Sequence, residues 1–178
     1  MEKENLIELI DSWGNLDVLV RELCARPELF STLMEIALYS TGPKTWRAAY
    51  LADKIHDEYP ELVWPYLGKM VERLPAEKNL SKKRHFLKLI SMNDIREEHL
   101  GFLLDFCAET MASDEPVAIR VHAMQILYHI SEKEPGLKSE ILTLIEHELE
   151  YRATAGIRAR GLRLVKKLRK QLQNHQES

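Results

Sequence analysis

Apolar residues return along this chain at helical spacing, in two interleaved sets. The first set is Ala48-Leu51-Ala52-Ile55, Phe86-Leu89-Ile90, Ala123-Ile126-Leu127-Ile130 and Gly161-Leu164-Val165-Leu168, with leading residues 38, 37 and 38 positions apart. The second is Phe30-Leu33-Met34-Ala37, Leu67-Met70-Val71-Leu74, Leu103-Phe106-Cys107 and Ile141-Leu144-Ile145, stepping by 37, 36 and 38. Spacings of three and four put each group on one face of a helix. Two helix types alternating at one period predict stacked helical hairpins, each covering the apolar face of the next. Hairpins are expected at about 16–40, 44–74, 80–111 and 116–151, followed by a single helix at about 153–172. A short helix carrying Leu6, Ile7, Leu9 and Ile10 on one side is expected to cover the first exposed face, and Leu16, Leu19, Val20 and Leu23 form the next, less regular stripe. No strand-like alternation of any length interrupts the pattern. The expected fold is all-α: about four helical hairpins plus a C-terminal helix, one domain over residues 1–173 with 174–178 a frayed tail.

Turn chemistry supports the same division. Pro27, Pro60 and Pro135 each stand just before a second-type stripe, where a first-turn proline gives up an N–H that has no helical partner. Asn93-Asp94 is expected to cap the corresponding helix of the third hairpin through its side chains. Thr41-Gly42-Pro43, Pro75 and Ser113-Asp114-Glu115-Pro116 mark turns between repeats. Pro65 falls inside a helical stretch and is expected to kink or delay it.

Charge adds a polarity that the net value of −3 conceals. Residues 151–178 carry eight Lys or Arg against Glu177 alone, whereas residues 1–150 hold 17 basic and 27 acidic side chains. A basic end therefore follows an acidic body. Cys24 and Cys107 both sit in helical apolar patterns and read as buried free thiols. Met1-Glu2-Lys3-Glu4 lacks the basic and apolar regions of a secretory leader, and no stretch approaches the roughly eighteen apolar residues of a membrane span. No membrane association and a cytoplasmic location are expected.

The period, together with the Arg-x-x-Ala and Arg-x-x-Gly openings from Arg120 to Ala123 and from Arg158 to Gly161, resembles the HEAT and armadillo repeat class over nearly the whole chain. The segments at 45–50, 117–124 and 154–161 are similar to those of short bacterial HEAT-like proteins. The resemblance implies a right-handed α-α superhelix, a solenoid whose second helices generally line the concave side, acting as a protein-interaction scaffold. Nothing in the chain supports adenylosuccinate lyase activity: the serine-rich flexible loop of such lyases is missing, and the chain is too short for their helical bundle. DNA-alkylation-repair glycosylases also use HEAT-like helices, but the resemblance implies a short, acidic inner face here, unlike theirs.

Aligning the first-type stripes puts Arg47, His85, His122 and Arg160 one residue before each leading core position, and Lys83, Arg120 and Arg158 three before it. The two columns lie about 160° apart around a helix and cannot share one flat surface. Such rows could bind phosphates or acidic peptides. Alternatively, each cation could staple neighbouring repeats through a carboxylate or a loop carbonyl. On the second-type helices Glu35, Glu72 and Glu146 recur at one position, with Asp105, Glu109 and Glu150 nearby. They would form an acidic inner face suited to a basic segment, or an ordinary solvated one. Trp46, Trp64 and Trp13 fall at helix ends, where they could anchor a partner or fill gaps.

Catalytic chemistry finds little footing. His122 and His129 stand two turns, about 10 Å, apart, too far to share a metal ion. His147-Glu148-Leu149-Glu150-Tyr151 lacks the second histidine of a zinc-peptidase motif. There is no phosphate-cradling glycine loop and no nucleophile elbow. The expectation is a non-enzymatic scaffold without cofactor or metal that binds a peptide or protein segment. The alternative is nucleic-acid binding through the basic columns and C-terminal helix. Residues 1–43 hold eight acids against three bases, so a third reading is weak head-to-tail self-association of this acidic start with the basic C-terminal end.

Overall fold

The computed structural model describes residues 3–176, with side chains through residue 174. Among the described residues, eleven α-helices follow one another: α1 (Lys3–Ser12), α2 (Leu16–Ala25), α3 (Pro27–Tyr39), α4 (Trp46–Glu58), α5 (Pro60–Val63), α6 (Leu67–Arg73), α7 (Leu80–Ser91), α8 (Glu97–Ala112), α9 (Val117–Lys133), α10 (Lys138–Tyr151) and α11 (Ala155–Gln176). Short 3-10 turns lie at Trp64–Tyr66, Leu74–Ala76 and Pro135–Leu137. No strand occurs among the described residues. The chain falls into two compact units, Met1–Leu89 and Ile90–Ser178.

Within each unit, helices of the same sequence type pack side by side. In the first, α2 meets α4 while α3 meets α6; in the second, α9 meets α11 while α8 meets α10. Two layers of like helices are the arrangement that the interleaved stripes predict for stacked hairpins. The stripes are the core. Ala48, Leu51, Ala52, Ile55, Phe86, Leu89, Ala123, Ile126, Leu127, Leu164 and Leu168 are all fully buried, as are Leu33, Met34, Met70, Leu103, Cys107, Ile141 and Ile145 of the second type. Leu67, Phe106 and Leu144 are only half-buried.

Local signals were met in part. Pro27 and Pro60 open α3 and α5, and Pro135 opens the turn before α10. Pro65 breaks its helix into α5, a 3-10 turn and α6, because it cannot donate the N–H that would continue the α-helical ladder. Asn93-Asp94 does not cap α8: that helix starts at Glu97 behind Arg96, with no side-chain cap, and Asp94 instead pairs with Lys133 at 2.7 Å. The Asn side chain that caps is Asn79, whose Oδ1 accepts from the Ser81 and Lys82 amides at the start of α7. On α1, Leu6 and Ile10 are buried, but Leu9 is 44% exposed. α11 continues past residue 172 to Gln176; of the expected frayed tail, residues 177–178 lie outside the described residues.

Candidate functional site

In the first unit, four of the sequence-selected residues converge on an aromatic cluster. Trp13, in the turn after α1, stands 5.8 Å from Trp46 and 5.4 Å from Tyr50, between ring centroids. The Arg47 guanidinium lies 4.8 Å from the Trp13 ring centroid and donates to the Ile10 and Asp11 carbonyls at the end of α1. Tyr50 meets His85 edge-on at 5.8 Å. Trp46, Arg47 and Tyr50 share the first turns of α4, which explains how one helix presents all three. Trp13 has φ 52, a left-handed conformation that a bulky residue adopts only when its surroundings over-determine it. Stacking on Arg47, Trp46 and Tyr50 supplies that constraint.

Behind the cluster lies a buried charge network. The Asp53 carboxylate accepts from His85 Nδ1 at 2.9 Å and from Lys88 Nζ at 2.8 and 3.0 Å. Burial works against its ionisation, but the His85 and Lys88 hydrogen bonds and the Lys88 charge outweigh that effect and hold its carboxyl below the usual carboxylate range. Beside Tyr50 opens a cleft of about 560 Å³ between α2 and α4, walled by Leu16, Val20 and Leu51 and rimmed by Asp17, Arg21, Lys54, Asp57 and Glu58. Half-exposed Trp, Tyr and Arg are the residue types that dominate protein-binding hot spots, and Tyr50 joins them to this cleft of mixed apolar and charged lining.

The remaining cations of the two columns have varied surroundings. Arg120 is 6% exposed; it donates to the Met111 carbonyl at 2.9 Å and to Glu148 at 2.5 Å. Arg160 donates to Gln125, whose amide also meets His129. Burial and the Arg163 charge lower the Arg160 pKa. Lys83 and His122 are half-buried on α7 and α9, and Arg158 is exposed on α11.

A recurrent device emerges that gives the stapling alternative a particular form: cations of one helix satisfy carbonyls at the C-terminal end of another. Arg47 does so for α1, Arg120 for α8, and Lys82 for the Ser40 carbonyl that follows α3, at 2.7 Å. Lys138 reaches the Ser131 carbonyl of α9, and Arg152 those of Ala112 and Ser113 after α8. The last carbonyls of a helix have no intrahelical donor and carry the negative end of its dipole, so a buried cation is stabilised there. Lys82 and Lys138, at 2% and 4% exposure, were visible only as charges interrupting apolar patterns.

The acidic set remains largely on the surface. Glu35 and Glu72 in the first unit, and Asp105, Glu109 and Glu150 in the second, are exposed, whereas Glu146 pairs with Arg169. On α8 the Phe102 and Phe106 rings stack at 5.5 Å beside Asp105 and Glu109. Trp64 is 55% exposed. Cys107 is buried, which pushes its thiol pKa far up, while Cys24 is half-buried rather than enclosed.

Among the described residues, no three His, Cys, Asp or Glu side chains gather as a metal site, and no helix is long and apolar enough to cross a membrane. No curated protein and no solved structure matches the chain. A family model described as a HEAT repeat domain matches residues 3–168. That match, together with two layers of like helices in each unit, shows that the chain belongs to the HEAT repeat family, whose members are generally protein-interaction scaffolds.

Proposed function

We propose that this chain is a non-enzymatic scaffold that receives a segment of another protein in the cleft between α2 and α4. The observation that carries the reading is Tyr50, which lines that cleft and joins it to the Trp13–Trp46–Arg47 cluster. Aromatic and Arg side chains held by packing lose little entropy on binding, so they serve as preorganised anchors. The strained backbone at Trp13 fits this role, since strain concentrates where function requires a side chain at a fixed place. Apolar walls and a rim of mixed charge suit an amphipathic helix laid along the groove.

Arg47, Arg120 and Arg160 all donate to protein oxygens. That allocation favours the protein-segment reading over a phosphate-binding row. The exposed Glu35 and Glu72 of the same unit would then act secondarily, drawing in a segment with basic flanks.

Selection from a random peptide display library tests the proposal. Peptides selected on the native chain should carry two or more apolar anchors and should lose at least about tenfold in affinity against Val20→Glu, which places a carboxylate in the cleft wall. They should still bind Phe102→Ala, which alters α8. Selected peptides that bind Val20→Glu undiminished would remove the cleft from consideration.

A further inference from the structure

A second surface is independent of that cleft. α11 carries seven Lys or Arg and no acid. It packs through Ile157, Gly161, Leu164, Val165 and Leu168 and turns the opposite face outward. At the centre of that face Leu162 is 54% exposed, with Arg158 and Lys166, one helical turn to either side, also exposed. A purely phosphate-binding face has no use for an exposed leucine at its centre; a protein partner with an apolar hollow and an acidic rim does.

The first unit has such a hollow. Leu9, Val18, Leu19 and Leu29 line a pocket of about 140 Å³ beside α1 and α2. Leu9 and Val18 remain 44% and 42% exposed there. Glu22, which also pairs with Arg26, forms part of its wall, and Glu4 and Glu8 are exposed on α1.

We propose that the outward face of α11 docks on the α1–α2 hollow of a second copy of the chain, Leu162 entering between Leu9 and Val18 while Arg158 and Lys166 meet the surrounding carboxylates. The two patches differ, so the contact is heterologous and leaves each copy with one patch free, permitting further addition. Its small apolar centre places it among weak interfaces, with charge supplying orientation and on-rate.

Sedimentation velocity from about 20 μM to about 1 mM protein spans the affinities expected of so small a contact. The weight-average coefficient should rise with concentration at about 0.05 M salt and fall back towards the monomer at about 0.5 M, where screening is strong. Val18→Lys and Leu162→Glu change exposed side chains and should leave the helical circular dichroism intact. Each variant alone should stay monomeric. An equimolar mixture should form dimers and nothing larger, because the first keeps a working α11 and the second a working hollow.

A monomeric wild type throughout, a monomeric mixture, or self-association by either variant alone would overturn the proposal. So would a monomeric wild type that binds a short DNA duplex and loses it on Leu162→Glu with Lys166→Glu, since α11 would then serve a polyanion.

Discussion

Asp53 lies between Ala52 and Ile55 of a core stripe, yet it is ionised and held by His85 and Lys88. Its folded-state pKa is below the unfolded value of about 3.9, so its stabilising contribution is complete above that pH and disappears as the pH falls through the lower folded value. Asp53→Asn should therefore cost about 2 kcal/mol in urea unfolding at pH 7, and the difference from wild type should shrink below about pH 4. Arg120 and Glu148 offer a second test. Both are almost fully buried, so Arg120→Leu leaves the Glu148 carboxylate with no cation closer than Arg152, at 3.7 Å, and should cost about 3 kcal/mol. Arg120→Met combined with Glu148→Leu removes both charges, leaving mainly the lost bond to Met111, and should cost only about 1 kcal/mol. Arg120 stood out in the sequence through its column, but Glu148 did not. One buried carboxylate per pair has no periodicity to betray it, and its partner sits 28 residues away.

The helices themselves were nearly all legible, because their existence depends on stripes of three and four that repeat down the chain. What the sequence concealed were local contests. Asn93 and Asp94 have the chemistry of caps, but Asp94 is drawn to Lys133 and the helix begins after them. Leu9 shares the apolar pattern of α1, yet that short helix buries only Leu6 and Ile10 among its neighbours. Gly161 illustrates the reverse. It occupies a leading core position in α11, where a Cβ would come within 2.9 Å of Leu149 Cδ2. Glycine is therefore the residue that allows α10 and α11 to approach closely. Gly161→Val should destabilise the fold by about 1–3 kcal/mol through overpacking, measurable as a lower thermal midpoint.

For the whole chain, the period announced a repeat protein, and membership of the HEAT family follows from the match over residues 3–168. The aromatic cluster was legible only in pieces. Trp13, Trp46 and His85 could each be singled out as residue types, but their convergence through Tyr50 depends on the turn after α1 bringing Trp13 against α4. Several buried cations cap helix ends, and in the first unit Tyr50 joins the aromatic cluster to the α2–α4 cleft proposed as the binding site. Hydrogen–deuterium exchange with a peptide selected on the native chain tests that account most directly. Protection confined to the amides of α2 and of α4 from Tyr50 to Glu58 is the predicted result; protection centred on α8 and α10, with α2 and α4 unchanged, would contradict it.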